Sequence, residues 1–534
     1  MMTDILLRGG SVVDGSGVPR FRADVAMREG RIAAVGDLPH AEAQLVLDVS
    51  GLMVAPGFID SHSHSDLALL EDASATPKAA QGVTTEIIGN CGFGPYPARS
   101  EAARQAMSAL LPPSQGKKRQ FFVALRDYQE ALLERGGAVN VAALLPHGAV
   151  RTSVMGAEDR AADEDEMRAM CELVREGMSQ GAVGMSLGLL YAPGCFTPAG
   201  EIAELSRVLA ARRGVLVSHG RNECDRFQES IEEVIEIGRQ ARVAVHISHL
   251  KVADPANWGR IDAALRRIEQ ANQRGQRVTC DQYPYTAGSG PLQTIMPPWS
   301  LAGGTRELLA RLRDPAARGR IVRALEGREA MPGWDNMSQR IGWDRIVVGS
   351  APGAEDREGR SLAEIAAESG RPPSDILFEV LLASHGSAIG LYHQMCEDDV
   401  RAVMVDPAHM VGSDGLPAPG RPHPRLWGTF PRVLGHYSRE LGLLTLEQAV
   451  HKMTGKTAAT FRLQGRGLVH TGYYADLCVF DAERVIDRAT YDDPALAPEG
   501  IVHVICNGVP TMLDGRRTQH RPGAVLTAVA VEDA

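Results

Sequence analysis

Residues 54–66 read VAPGFIDSHSHSD, a short apolar run ending in two histidines, His62 and His64, one residue apart. Residues i and i+2 of an extended segment share a face, so both imidazoles can reach a single ion at the strand's end. Pro56 and Gly57 interrupt the run just before Phe58 and Ile59, which marks a tight entry into a buried strand. Two ligands do not make a site, and a pair of exposed loop histidines is the plainer reading of this stretch taken alone. The function therefore turns on whether the rest of the chain brings more ligands.

Downstream, apolar runs alternate with amphipathic stretches: TTEIIGN at 84–90, NVAALLPHG at 140–148, AVGMSLGLLY at 182–191, GVLVSHGRNE at 214–223, VAVHISHLK at 243–251, RVTCDQYPY at 277–285 and HMVGSDG at 409–415. Intervening segments such as DEDEMRAMCELVREGMSQG and SIEEVIEIGRQAR carry apolar residues at helical spacing, as crossover helices do. With the opening strand this makes eight βα units, which predicts an α/β chain folded as a (β/α)8 TIM-like barrel over residues 54–462. Residues 1–53 and 463–534 are written instead in short strands and Gly turns. They predict two parts of one small β-sandwich domain formed by both chain termini. Between the seventh and eighth strands the rhythm breaks, and a Pro/Gly-rich entry followed by charged helices predicts a lid-like insertion at about 290–360.

The chain has 534 residues, 44% hydrophobic, with a formal net charge of −10. This size supports one large domain with satellites. The acidic balance, with no Lys/Arg block, excludes a nucleic-acid footprint, and no apolar run is long enough to span a bilayer. Eight cysteines scattered without close pairs speak against a disulfide framework and for a cytoplasmic protein. The expected partner is a small molecule.

More ligand candidates stand at the ends of the predicted strands, where a barrel places its chemistry. Cys91 follows EIIGN, His219 closes VLVSH, His249 closes HISH and Asp414 closes VGSD. Singly each has an ordinary structural explanation. Together with His62 and His64 they put six metal or acid–base groups at one end of five strands, which predicts a metal site. A thiolate among imidazoles points to Zn2+ in preference to the oxygen-seeking magnesium or calcium. Arg221, Asn222, Glu223, Lys251, Tyr283, Tyr285 and Ser289 cluster at the same strand ends, whereas alternation puts His246 on the face opposite His249, in the core or against a helix.

PGFIDSHSH, GNCG, SHGRNE, SHLK, DQYPY and GSDG resemble, in this order, the signatures of the amidohydrolase superfamily and specifically of its N-acyl-D-amino-acid deacylase (D-aminoacylase) branch. The similarity spans nearly the whole chain. It implies zinc-dependent hydrolysis of N-acyl-D-amino acids to a carboxylate and a free D-amino acid. By the resemblance, Cys91, His219 and His249 are ligands of one tight zinc, and His62 and His64, with Cys91 as bridge, form a second, weaker site. Asp414 resembles the general acid/base. Lys251 and Tyr283, with Ser289 nearby, offer a cation and two hydroxyls to the substrate's α-carboxylate. The run between Ser289 and Arg306 has no cation, and Leu292, Ile295 and Met296 are candidates to line an apolar side-chain pocket. Two alternatives remain. Hydantoinase-like or dihydroorotase-like relatives hydrolyse cyclic amides, but they carry a bridging lysine on the fourth strand, and AVGMSLGLL has none. A scaffold of this fold without catalysis is the other.

Overall fold

The computed structural model describes residues 2–112, 119–329, 331 and 333–528. Eight parallel strands follow one another around the barrel: Phe58–Asp60, Val83–Ile88, Asn140–Pro146, Gly184–Gly188, Val215–His219, Ala244–Ile247, Val278–Gln282 and His409–Val411. Each pairs with the next in sequence. The first and eighth meet just beyond their ends, through a bridge between Ser63 and Gly415 and a bond from Asp414 N to His62 O at 2.7 Å. Closure therefore occurs at the C-terminal mouth, beside the paired histidines.

The strands are almost continuously apolar because both their faces are covered. Inside, Ile59, Ile87, Leu144, Val217 and Met410 form the barrel core, and outside, the helices pack on residues such as Val141, Leu145, Met185 and Val245. Helix Glu164–Ser179 opens on a capping box between Asp163 and Glu166, which satisfies two N-terminal backbone donors and is worth about 1 kcal/mol. In helix Phe227–Ala241, a Cβ added at Gly238 would lie 2.2 Å from Val245 Cγ2, so the glycine lets the helix sit directly on the sixth strand.

The stretch read as a single opening strand is two. Met53–Pro56 pairs with Met2–Val12 and Leu477–Phe480 in the terminal domain, and the barrel begins at Phe58. Gly57 marks the junction because a Cβ there would meet Thr84 Oγ1 at 2.2 Å. Strands from both ends of the chain are hydrogen-bonded into one continuous nine-stranded sheet around a core that includes Leu7, Val25, Ile32, Leu477 and Ile505. Val525–Leu526 then returns to pair with the third barrel strand.

Between the seventh and eighth strands lie a three-stranded antiparallel sheet, Gly288–Pro291, Ile346–Ser350 and Ile389–Tyr392, and several helices, among them Thr305–Arg313, Pro315–Leu325 and Pro373–Ala383. Leu292, Ile295, Leu312, Ile321 and Phe378 belong to the core these elements share. No described helix is long and apolar enough to cross a membrane.

Candidate active site and metal centre

The six strand-end groups named above converge at the C-terminal mouth. One donor atom each from Cys91, His219 and His249 lies within 4.8 Å of the others. The same holds for His62, His64 and Cys91, and for His62, His249 and Asp414. Cys91 belongs to the first two triads, with Sγ 3.3 Å from His62 Nε2 and 3.5 Å from His249 Nε2. Both ring nitrogens of His219, and Nδ1 of His64, are buried with no hydrogen-bond partner among the described residues. Buried imidazoles are ordinarily satisfied, so orphaned donors around a sulfur fit a metal ion. Burial pushes the Cys91 thiol up, but the charges of His62 and His249 bring it well below its ordinary value, which favours the thiolate a metal requires.

Neighbouring carboxylates orient these side chains. Asp281 Oδ2 contacts His62 Nδ1 at 3.2 Å, and Asp281 Oδ1 accepts from His249 N at 2.9 Å. Glu223 Oε1 lies 3.3 Å from His249 Nδ1 and 2.6 Å from Lys251 Nζ. A partner on the outer nitrogen fixes the ring so that its other nitrogen faces the centre. His246 is in the core, as its alternation predicts, and it turns toward the site's support: Nε2 meets Asp281 at 2.7 Å and Nδ1 meets Thr279 at 2.9 Å.

Asp414 Oδ1 lies 3.1 Å from His64 Nε2 and 3.5 Å from His62 Nε2, and Oδ2 lies 2.9 Å from Arg425 Nη1. Burial pushes this carboxyl up, yet Arg425 and His62 hold it well below the usual carboxylate range. Fully buried Arg425 also stacks on Tyr283 at 4.4 Å and donates to Ser289 O at 3.1 Å. No periodicity in RPHPRLWGTFPR distinguishes this arginine from a surface one. Asp60, Glu86 and Asp281 did carry a signal, since carboxylates inside strands covered on both faces must have partners. Asp60 and Glu86 have theirs in buried Lys78, at 2.5 and 3.5 Å.

Lys251, Tyr283 and Ser289 line one cavity with His219, His249 and Asp414. Ser289 Oγ is buried without a hydrogen-bond partner among the described residues, and the Tyr283 hydroxyl meets the weak acceptor Met395 Sδ at 3.6 Å. Arg221 instead turns away to Glu233 and the backbone of Cys195 and Thr197, and Tyr285 pairs with Asp487. The expectation that Leu292, Ile295 and Met296 form a substrate pocket is not met: all three are buried in the core of the insertion. Tyr191, Thr294, Met337 and Tyr392 line the cavity in their stead, because the packing of the 3-10 turn Leu292–Ile295 decides which of its residues faces in.

At the end of the fourth strand, a Cβ on Gly188 would stand 1.9 Å from Cys91 O. The Cys91 backbone thus occupies the space that a side chain from this position would need.

The amidohydrolase family model matches residues 45–512. The chain belongs to the amidohydrolase family. It is 42% identical over 527 residues to a D-aminoacylase of Alcaligenes xylosoxydans xylosoxydans, covering 99% of this chain and 98% of the relative. A solved D-aminoacylase, with a binuclear metal centre described by one-metal activation and second-metal attenuation, matches at a TM-score of 0.84 and 40% identity over 98% of this chain and all of that one. The N-acyl-D-glutamate deacylase of Bordetella bronchiseptica, complexed with zinc and a phosphonate mimic of the tetrahedral intermediate, matches at 0.83 and 37% identity over 99% of this chain and all of the other. Members of this family at such similarity share the metal-dependent hydrolysis toward which the donor set points.

Proposed function

We propose that this protein is a zinc-dependent amidohydrolase that cleaves N-acyl-D-amino acids with apolar side chains into a carboxylate and a free D-amino acid. The observation that carries the reading is the convergence of a thiol and four imidazoles with a carboxylate and a buried ammonium in one barrel mouth. Cys91, His219 and His249 would hold the tight zinc, and His62 and His64, sharing Cys91, the weaker position. The named substrates of the similar enzymes support the D-configuration. Free thiols at all eight cysteines fit a cytoplasmic enzyme.

Zinc, when bound, polarises the scissile carbonyl and acidifies the attacking water. The remaining work falls to this chain's side chains. Asp414, held ionised by Arg425, takes a proton from the water during attack and returns it to the amide nitrogen as the C–N bond breaks. An amide nitrogen leaves poorly until protonated, and one carboxylate serves both half-steps. Burial works against the Lys251 charge, but Glu223 restores it and raises the pKa above the usual value, so the ammonium stays charged. With the uncommitted hydroxyl of Ser289 and the weakly held one of Tyr283, it receives the α-carboxylate in charge-assisted bonds that position the substrate.

The test is turnover by the zinc-loaded enzyme of N-acetyl-D- and N-acetyl-L-leucine, methionine and phenylalanine, alongside hydantoin and dihydrouracil. The D-amides are expected to be hydrolysed; turnover confined to the cyclic amides would reverse the reading.

A further inference from the structure

One wall of the substrate cavity takes no part in the reaction described above. Beyond the proposed metal donors, Asp414 and the Lys251–Tyr283–Ser289 seat, it includes Tyr191, Thr294, Met337 and Tyr392 and, among the described residues, a single further charged group from the insertion, Asp335. Asp335 is 5% exposed. Its carboxylate accepts from Glu223 N at 2.9 Å and from Asn222 Nδ2, which pins the insertion to the loop after the fifth strand and fixes the charge in the wall.

The substrate's other groups are already placed. The scissile carbonyl lies at the donors, the leaving nitrogen at Asp414 and the α-carboxylate at Lys251, so the side chain has only this wall to face. Lys251 is the sole Lys or Arg among the described residues lining the cavity, and it is engaged by Glu223 and the seat. An acidic side chain would meet a fixed, desolvated carboxylate with no counter-charge, and like charges in a dry wall repel strongly. An uncharged side chain would meet an aromatic and thioether surface.

We infer that Asp335 is a specificity-determining residue that turns away N-acyl-D-glutamate and N-acyl-D-aspartate and reserves the site for uncharged side chains; the inference rests on the carboxylate seat proposed above. Burial pushes Asp335 up to about 6, which leaves it ionised at pH 8.

The experiment compares kcat/KM at pH 8 for N-acetyl-D-leucine and N-acetyl-D-glutamate in the zinc-loaded wild type, Asp335→Asn and Met337→Lys. Asp335→Asn keeps the shape and removes the charge. Met337→Lys leaves Asp335 and its bonds intact and adds the missing cation at a half-buried position, so it carries the test should the first variant not fold. The wild type is expected to favour leucine, and each variant to raise the glutamate-to-leucine ratio by about tenfold or more. A ratio unmoved in the folded variants overturns the inference alone, and a wild type that favours glutamate overturns it together with the apolar side-chain preference while leaving the deacylase reading in place. A wild type that turns over neither compound overturns the proposed function and the inference with it.

Discussion

Three residues at the mouth sit in the left-handed backbone region although none is glycine: Cys91 at φ 53°, His249 at 33° and Asp414 at 49°. Each costs on the order of 1 kcal/mol, and each follows the end of its strand. The surrounding bonds hold the conformation, as when His249 N donates to Asp281 and Asp414 N to His62 O. At Asp414 the role of proton shuttle predicts that Asp414→Asn keeps its zinc while kcat falls by about two to four orders of magnitude. If Asp414 merely orients a ligand, zinc affinity should drop about tenfold to a hundredfold and excess zinc should restore activity; zinc stoichiometry and kcat with and without added metal separate the two. Cys91, once coordinated, should resist alkylation until the metal is stripped. Mass-spectrometric labelling at equal rates before and after chelation would remove it from the ligand set.

At the scale of elements, the fourth strand contributes to the centre by having no side chain at its end. Gly188→Ala must displace the Cys91 carbonyl, which costs about 1–3 kcal/mol as overpacking and shifts a residue proposed above as a zinc ligand. The expected result is a lower Tm together with faster loss of zinc on dialysis. Gly200→Ala, where an added Cβ meets nothing within 4 Å, is the control and should leave zinc retention unchanged. A lowered Tm with unchanged zinc retention would show that the Cys91 backbone does not transmit the strain.

Across the whole molecule, stability depends on charges buried far from the mouth. Lys452 donates to Asp406 O at 2.6 Å and His409 O at 3.3 Å near the start of the eighth strand. Burial, and then the charge of Lys456, bring it down from 10.5 to about 8. Between these values the unfolded chain binds more protons than the folded one, so this group's contribution to stability rises with pH, by about 3 kcal/mol at the upper limit. At neutral pH the cost of the buried charge is fully present, and it disappears toward pH 10. Denaturant titrations at pH 7.5 and 10 should therefore show the stability of wild type gaining on that of Lys452→Met. A constant difference between the two would mean that Lys452 titrates normally.

The barrel, the strand-rich character of both chain ends and the six polar groups where barrel strands open were legible in the order of residues. These rest on local rules: alternation along a strand, helical spacing between strands, and polar residues where a buried strand opens. What holds those groups in place was not legible there. His62 and Asp281 lie 219 residues apart, and Arg425 reaches Asp414 and Ser289 from a helix after the last strand; no periodicity encodes such contacts, because they depend on how separate elements meet. The side-chain wall shows the same division. Leu292, Ile295 and Met296 were legible as apolar, but whether an apolar residue faces substrate or its own core depends on the packing of the insertion, which buried them and turned Thr294, Met337 and Asp335 toward the cavity.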